Sequence, residues 1–570
     1  WAAIIFDNAS GISMSEKRQQ TSQGSDFLKQ GSILAMASLI VRFIGMIYRI
    51  PMSNILGEEG NGIYAVAVDV YDIVLIVSSY SIPLALSKII AAQSIQKQYK
   101  NTGKTFRLTL LFAVVSGGLF GILLFAGSGF IETHIYPDYA GVRYPLRILA
   151  PTIFIVALLG VFRGFFQGKK TMIPTAVSQV VEQIVNAIVS VAGAYYLMKW
   201  NADSPFKSGW GAAGGTLGTC MGALFALLLV GFVYWIYRPI QNKLERKDQT
   251  KQLYSATHIY RMLIMTILPV ILSQTVYQIS GLVDYYLFGD VLGGKGIDSV
   301  TIKSMVGMYS SKYRLLTTLP IAISTSIASS MIPSAVAAYT KRDEKLLNDN
   351  ISSGIKFNMI IAFPCAIGYM VIGQGLIRML FPSSDYITGG KLMLAGSAAI
   401  IFYAISNVTG GALQSIDKMR LPVIHSAISL VIHIGIVVAL LHATELNVYV
   451  LVIGNVTFPI IVSALNILAL KRYIPTFEVK PLSTFGVPLS ASLWMGVAVA
   501  IVYTLMNRLC LTFLGGYMAN ALASLVSVAV GALVFFWMFL SLKGMSKQEL
   551  FDFPMGRKLY LVARKLRLME

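Results

Sequence analysis

Charged side chains are scarce in this sequence. Asp, Glu, Lys and Arg together make up 13% of 570 residues, against 55% apolar residues and a mean hydropathy of +0.68. So little polar surface could not cover several soluble domains, which excludes a soluble enzyme. Cysteine is also nearly absent. Cys220, Cys365 and Cys510 stand singly in apolar runs with no CxxC spacing, which excludes a disulfide framework and a zinc site. The sequence has no Walker loop, HExxH or nucleophile elbow, so nothing in it supports nucleotide hydrolysis or covalent catalysis, and no cofactor is expected. The short alternating strands of a porin-like barrel are missing too, because runs such as Val448 to Ala469 and Ala519 to Leu540 are predominantly apolar without that alternation. No basic segment followed by an apolar core and a small-residue cleavage site opens the chain, so a cleaved signal peptide is not expected. Residues 1–13, ahead of Met14, read as a non-native remnant.

What is present is a series of long apolar segments. A window of about 19 residues predicts fourteen spans of an all-α polytopic membrane protein, near 31–53, 62–92, 108–128, 144–166, 172–198, 211–237, 262–288, 304–338, 354–377, 392–414, 422–441, 447–470, 486–507 and 516–541. Alternating the connections from the amino terminus puts 32 Lys and Arg on the side of both termini and eight on the other. By the positive-inside rule both termini are cytoplasmic. The net charge of +20 is then a topology signal, and no nucleic-acid partner is expected.

Two markers recur at nearly one offset. Gly62-Ile63-Tyr64 returns as Gly307-Met308-Tyr309, and Gly164-Phe165-Phe166-Gln167 with Pro174 returns as Gly411-Ala412-Leu413-Gln414 with Pro422. Span 2 then matches span 8, which predicts two pseudo-symmetric six-helix lobes. The expected organisation is a cytoplasmic segment 1–30, an N-lobe 31–238, a cytoplasmic linker 239–261, a C-lobe 262–470, a helix pair 486–541 and a basic tail 542–570. Two facing lobes point to a transporter with its cargo held between them.

Ionisable residues inside spans are costly unless they face water or a partner, so they mark the candidate site. The cations are Arg42, Arg49, Lys88, Arg147, Lys312 and Arg314; the acids are Asp69, Asp72, Glu182 and Asp284. Arg42, Asp72, Glu182 and Arg314 fall near mid-membrane at 1.5 Å rise per residue. Gln179, Glu182, Gln183 and Asn186 form one polar stripe on span 5. Six cations against four acids predict a hydrated, slightly cationic cavity, suited to an anionic cargo such as a phosphate. Arg42, Arg49, Arg147, Lys312 and Arg314 are the candidate cargo contacts. Asp69, Asp72, Gln179, Glu182, Asn186 and Asp284 are the cavity or coupling candidates. Salt bridges joining helices are the alternative reading of each residue. His425 and His433 have no acidic neighbour within span 11 and read as satisfied membrane histidines.

Val41-Arg42-Phe43-Ile44-Gly45-Met46-Ile47-Tyr48-Arg49-Ile50-Pro51, with Gly57-Glu58-Glu59-Gly60-Asn61-Gly62-Ile63-Tyr64 and Gly164-Phe165-Phe166-Gln167-Gly168-Lys169, resembles the multidrug/oligosaccharidyl-lipid/polysaccharide (MOP) exporter superfamily. It is most similar to the Gram-positive, YtgP-like and SpoVB-like branch of the lipid II flippase (MurJ) family, over Met14 to Glu570. The resemblance implies a two-lobed, monomeric carrier moving an undecaprenyl-pyrophosphate-linked glycan, the peptidoglycan precursor, to the outer leaflet, with Arg42 lining the cavity. Span 2 departs from the better-studied Gram-negative pattern, offering Asp69 and Asp72 where that pattern has an arginine. Coupling to membrane potential or to a Na⁺ or H⁺ gradient is expected. Another undecaprenyl-linked cargo, a sporulation-specific role, a cation or drug antiporter and a non-transporting scaffold stay open.

Overall fold

In the computed structural model residues 16–250 and 252–545 are described, so the expected remnant 1–13 and residues 546–570 of the basic tail lie outside the described residues. The fold is all-helical. The first half comprises α1 (Glu16–Leu75), α2 (Ile82–Ile95), α3 (Tyr99–Phe130), α4 (Arg143–Gly168), α5 (Ile173–Trp200) and α6 (Lys207–Lys247). The second comprises α7 (Ala256–Gly294), α8 (Ser299–Met308), α9 (Leu315–Thr340), α10 (Glu344–Leu380), α11 (Tyr386–Gly396), α12 (Ala399–Ser415), α13 (Arg420–Ala443) and α14 (Val448–Tyr473). The last two helices are α15 (Val487–Leu511) and α16 (Gly516–Ser541).

Among the described residues eleven helices are long and apolar enough to cross a membrane, or twelve if the bent pair α11 and α12 forms one span. The count of fourteen is therefore not reproduced, and two features account for the difference. Expected spans 1 and 2 fall within one stretch, Met36–Ile95, that counts once, because the helix Glu16–Leu75, which carries span 1 and the start of span 2, is interrupted at Gly57 alone (φ 66°, ψ −176°), a conformation glycine adopts without steric cost. Asn61 completes the break by donating its Nδ2 to the carbonyls of Ser53 and Gly57 at 2.9 and 2.6 Å. Expected span 7 falls in α7, where Ala256–Leu272 qualifies only as a shorter apolar helix. The linker is also shorter than the expected 239–261. Helix α6 continues to Lys247 and α7 starts at Ala256, leaving 248–250 and 252–255 as its described non-helical residues.

Apolar side chains gather in four clusters that position the site. One joins α2, α3, α4 and α6 through Ile90, Phe106, Phe165 and Val230 and also takes in Ile259 and Leu263 of α7. A second joins α9, α10, α12 and α14 through Ala335, Ile355, Val408 and Leu470. A third seats α15 and α16 on α10 through Ile372, Met495 and Phe539. The largest spans both halves of the chain, with Ile63, Val66, Leu146, Phe288, Val306 and Tyr313 buried together.

The repeated glycines sit where helices meet most closely. A Cβ on Gly62 would collide with the backbone carbonyl of Lys303, and one on Gly307 with that of Glu58, so each copy of the marker presses on the other half. Gly164 lies against Pro83 and Gly411 against Ile332, each touching the stretch that follows its half's first marker. Gly214, Gly218 and Gly222 bring α6 onto the backbone of α5 at Gly193, Asn186 and Glu182, the small-residue packing expected of that spacing.

Candidate functional site

The two halves meet at an ion pair. Arg314 Nη1 donates to Asp69 Oδ2 at 2.7 Å and to the Tyr285 hydroxyl at 3.1 Å. Asp69 is on α1, and Arg314 ends the π-helical segment Tyr309–Arg314 that leads into α9. The two residues lie 245 positions apart, the same offset that separates Gly62 from Gly307. An acid and a base at equivalent positions of the repeat thus face one another across the boundary between the halves.

Cavities open on both sides of Arg314. One of about 210 Å³ is lined by Arg49, Asp69, Asp72, Ser310, Ser311 and Arg314. The other, of about 190 Å³, has Gln278, Asp284, Tyr285, Thr317 and Asn455 around the same guanidinium. Arg49, Asp69, Asp72 and Arg314, all expected at the site, are therefore brought together. The expected excess of positive charge is not found there, because the first cavity holds two arginines and two aspartates. Counting charges along the chain missed how they pair. Arg163, assigned by sequence to a cytoplasmic connection, lies inside α4 and donates Nη2 to Glu182 Oε2 at 2.7 Å. Its position inside the predicted span 144–166 was the available signal.

The remaining candidates are dispersed. Arg42 is exposed and donates Nη1 to the Ala322 carbonyl at 2.7 Å, tying α1 to α9 away from the Arg314 cavities. Lys312, an expected cargo contact, is buried with its ammonium 5.2 Å from the Phe381 ring centre, an internal cation–aromatic contact. Arg147, another expected cargo contact, reaches the Ser128 hydroxyl with its Nε at 3.2 Å and lays its guanidinium over Phe125, lining neither Arg314 cavity. The polar stripe of α5 joins helices instead of facing the Arg314 cavities: Glu182 holds Arg163, and Asn186 meets the Tyr48 hydroxyl at 3.3 Å and accepts from Ser190 at 2.7 Å. Gln179 Oε1 is buried without a hydrogen-bond partner among the described residues.

Asp284 lines the second cavity and meets His433 Nε2 at 2.7 Å, both side chains being buried. His433 Nδ1 faces the Gly454 carbonyl at 3.1 Å; a carbonyl only accepts, so Nδ1 carries a proton. A single further proton then completes the bond between Nε2 and the carboxylate. The histidine is satisfied, as expected, but by an acid from α7 that sequence distance concealed.

The halves are closed at one end. Lys303 Nζ pairs with Glu59 Oε1 at 2.7 Å, Asn54 Nδ2 donates to the Leu380 carbonyl at 2.9 Å, and the Tyr136 hydroxyl donates to the Leu282 carbonyl at 3.1 Å. Farther along α9, Thr325, Ser326, Ser329 and Ser330 are exposed.

A family described as Polysaccharide biosynthesis protein matches residues 27–339, and one described as MatE matches residues 269–439. Lipid II flippase MurJ of Bacillus subtilis (strain 168) is 25% identical over 90% of this chain and 95% of its own length. Stage V sporulation protein B of the same organism is 23% identical over 79% of this chain and 84% of its own. The fold matches a lipid II flippase MurJ in an inward closed conformation, with TM-score 0.60 and 15% identity over 89% of this chain and 98% of that one. It also matches an inward-facing multidrug resistance MATE family transporter of the MOP superfamily, with TM-score 0.60 and 16% identity over 77% of this chain and 100% of that one. With residues 27–339, more than half of the chain, matched by one family, and with many helices long and apolar enough to cross a membrane among the described residues, this multi-pass membrane protein belongs to the polysaccharide biosynthesis protein family.

Proposed function

We propose that this protein carries a lipid-linked saccharide across the bilayer by alternating access, and that its cargo is an undecaprenyl-pyrophosphate-linked peptidoglycan precursor like lipid II. The observation that carries the reading is Arg314, a cation at the junction of the two halves whose present partner, Asp69, belongs to the opposite half. A pyrophosphate offers the same acceptor geometry with more charge, and a guanidinium binds such oxygens two at a time. Cargo binding therefore exchanges one partner of Arg314 for another and loosens the link between the halves. Arg49 lines the same cavity and supplies a second cation. With both termini cytoplasmic, the end closed by Glu59 and Lys303 is the outer one, and the cavity faces inward, ready to load.

The similarity to MurJ of Bacillus subtilis over nearly the whole chain supports this cargo class. Export of an organic cation is the second reading, favoured by Asp69 and Asp72 in the same cavity. Complementation decides between them. Cells depleted of their own lipid II flippase are expected to grow when they express this chain and to stop growing when they express Arg314→Ala at equal membrane abundance. Failure of the unaltered chain to restore growth, together with resistance to cationic dyes, would select the second reading.

A further inference from the structure

One face of α9 links the ion pair to a cavity whose described lining residues carry no charge. Counting from Arg314, positions four, eleven and fifteen residues on return to the same side of a helix; they are Thr318, Thr325 and Ser329. Thr318 lines both cavities beside Arg314, whereas Thr325 and Ser329 line a third cavity of about 280 Å³. The axial step from Thr318 to Thr325 is about 10 Å at 1.5 Å per residue.

The third cavity differs in kind from the other two. Carboxamides and hydroxyls, with aliphatic side chains between them, form its wall, and no Asp, Glu, Lys, Arg or His is among its lining residues. Two of the amides are held in fixed orientations. Asn407 Nδ2 donates to Thr325 Oγ1 at 3.0 Å, while Asn466 Nδ2 donates to Thr409 Oγ1 at 3.2 Å and its Oδ1 meets His425 Nδ1 at 2.7 Å. Gln274 and Gln414 add two further carboxamides from α7 and α12.

A site without charge stabilises neither a phosphate nor a cation, since an ion brought there would lose hydration without a counter-charge. Carboxamides and hydroxyls each donate and accept, which suits a ligand whose own groups do both. Aliphatic side chains between them suit its C–H faces. At about 280 Å³ the cavity has room for one sugar ring.

We infer that this cavity is a sugar subsite, taking one uncharged residue that bears hydroxyl and acetamido groups while the attached pyrophosphate lies at Arg314. The inference rests on the reading of the cargo as a lipid-linked saccharide and adds which part of that cargo is recognised, and where. The geometry assigns α9 as the ruler between the two parts.

The test uses the full chain in lipid nanodiscs and two probes, undecaprenyl pyrophosphate and the same lipid carrying a single N-acetylhexosamine, with binding followed by native mass spectrometry. The unaltered chain is expected to bind the sugar-bearing lipid more tightly. The double variant Gln274→Leu/Gln414→Leu should lose about tenfold or more of its affinity for that lipid and keep its affinity for the bare pyrophosphate; Arg314→Ala should lose both. Equal weakening of both lipids by the double variant, or no weakening of either, would overturn the subsite while leaving the functional reading intact. Failure of the unaltered chain to bind either lipid would overturn the functional reading, and the subsite with it.

Discussion

Asp69 and Arg314 show how much one pair of side chains can set. At 2.7 Å the carboxylate occupies the place at Arg314 that an anionic cargo would need, so under the proposed function it is both a lock between the halves and a competitor. Replacing Asp69 by Asn removes the competitor's charge and is expected to tighten binding of undecaprenyl pyrophosphate by about tenfold, or 1.4 kcal/mol, while slowing transport. Equilibrium binding and flipping assays on the same preparation check the two effects, and weaker binding in Asp69→Asn would remove competition from the mechanism. The Asp284–His433 pair makes a different demand, because both partners are buried. His433→Leu leaves a buried carboxylate without its donor and is expected to cost about 3–5 kcal/mol. Adding Asp284→Leu should recover most of the loss. Thermal unfolding in detergent of both variants measures this, and equal stability of the single and double variants would show that the pair contributes nothing.

Helices were the most legible part of this sequence, and their ends the least. Long apolar runs require burial or lipid, so the helices followed from composition. The break at Gly57 did not, because one left-handed residue replaces the loop that a polar Gly57–Asn61 segment suggests. Arg49, Asp69, Asp72 and Arg314, which line one cavity, were legible as candidates because charge in an apolar helix is expensive. Their partners were not, since Arg163 meets Glu182 and Asp284 meets His433 through packing that has no local pattern. Elements also carry tests of their own. Gly307→Val places a side chain against the Glu58 backbone, so it should prevent closure at that end. Disulfide trapping between cysteines at Glu59 and Lys303 should fall severalfold in Gly307→Val; unchanged trapping would mean that the helices can slide apart without cost. In the linker, burial alone would push the Asp248 carboxyl upward, but bonds from the Lys100 amide and from Thr250, and the charge of Lys100, hold it below the ordinary range. A depressed folded pKa stabilises the attachment above the unfolded value, near 3.9, and the contribution fades as pH falls through the folded value. Hydrogen exchange at the Thr250 amide should therefore be slow at neutral pH and accelerate, relative to free peptide, only below about pH 4. Asp248→Asn should accelerate it at every pH.

For the whole molecule, the proposed transport cycle makes the sign of the cavity decide which step should respond to voltage. Counting all charges along the spans gives an empty cavity of +2, which a negative cytoplasm would draw inward after cargo release. The assembled cavity instead holds Arg49 and Arg314 against Asp69 and Asp72, so in ionised form it is neutral when empty. A pyrophosphate diester adds about −2, and negative charge moves outward favourably when the cytoplasm is negative. At about 2.3 kcal/mol per charge per 100 mV for full transfer, the potential is then expected, for the proposed cargo, to favour the loaded, outward step and to leave the return of the empty carrier nearly unaffected. Asp69→Asn makes the empty cavity +1 and the loaded one −1, which should halve the voltage sensitivity of the loaded step and give the empty return a sensitivity of its own. Proteoliposomes at a series of potassium diffusion potentials, with pH and sodium held fixed, read the first quantity as flipping rate against voltage. Cysteine trapping between positions 59 and 303 in cargo-free vesicles reads the second. A steep voltage dependence of trapping in the unaltered, cargo-free carrier would return the charge to the empty state. Equal slopes for the unaltered chain and Asp69→Asn would remove Asp69 from the moving field.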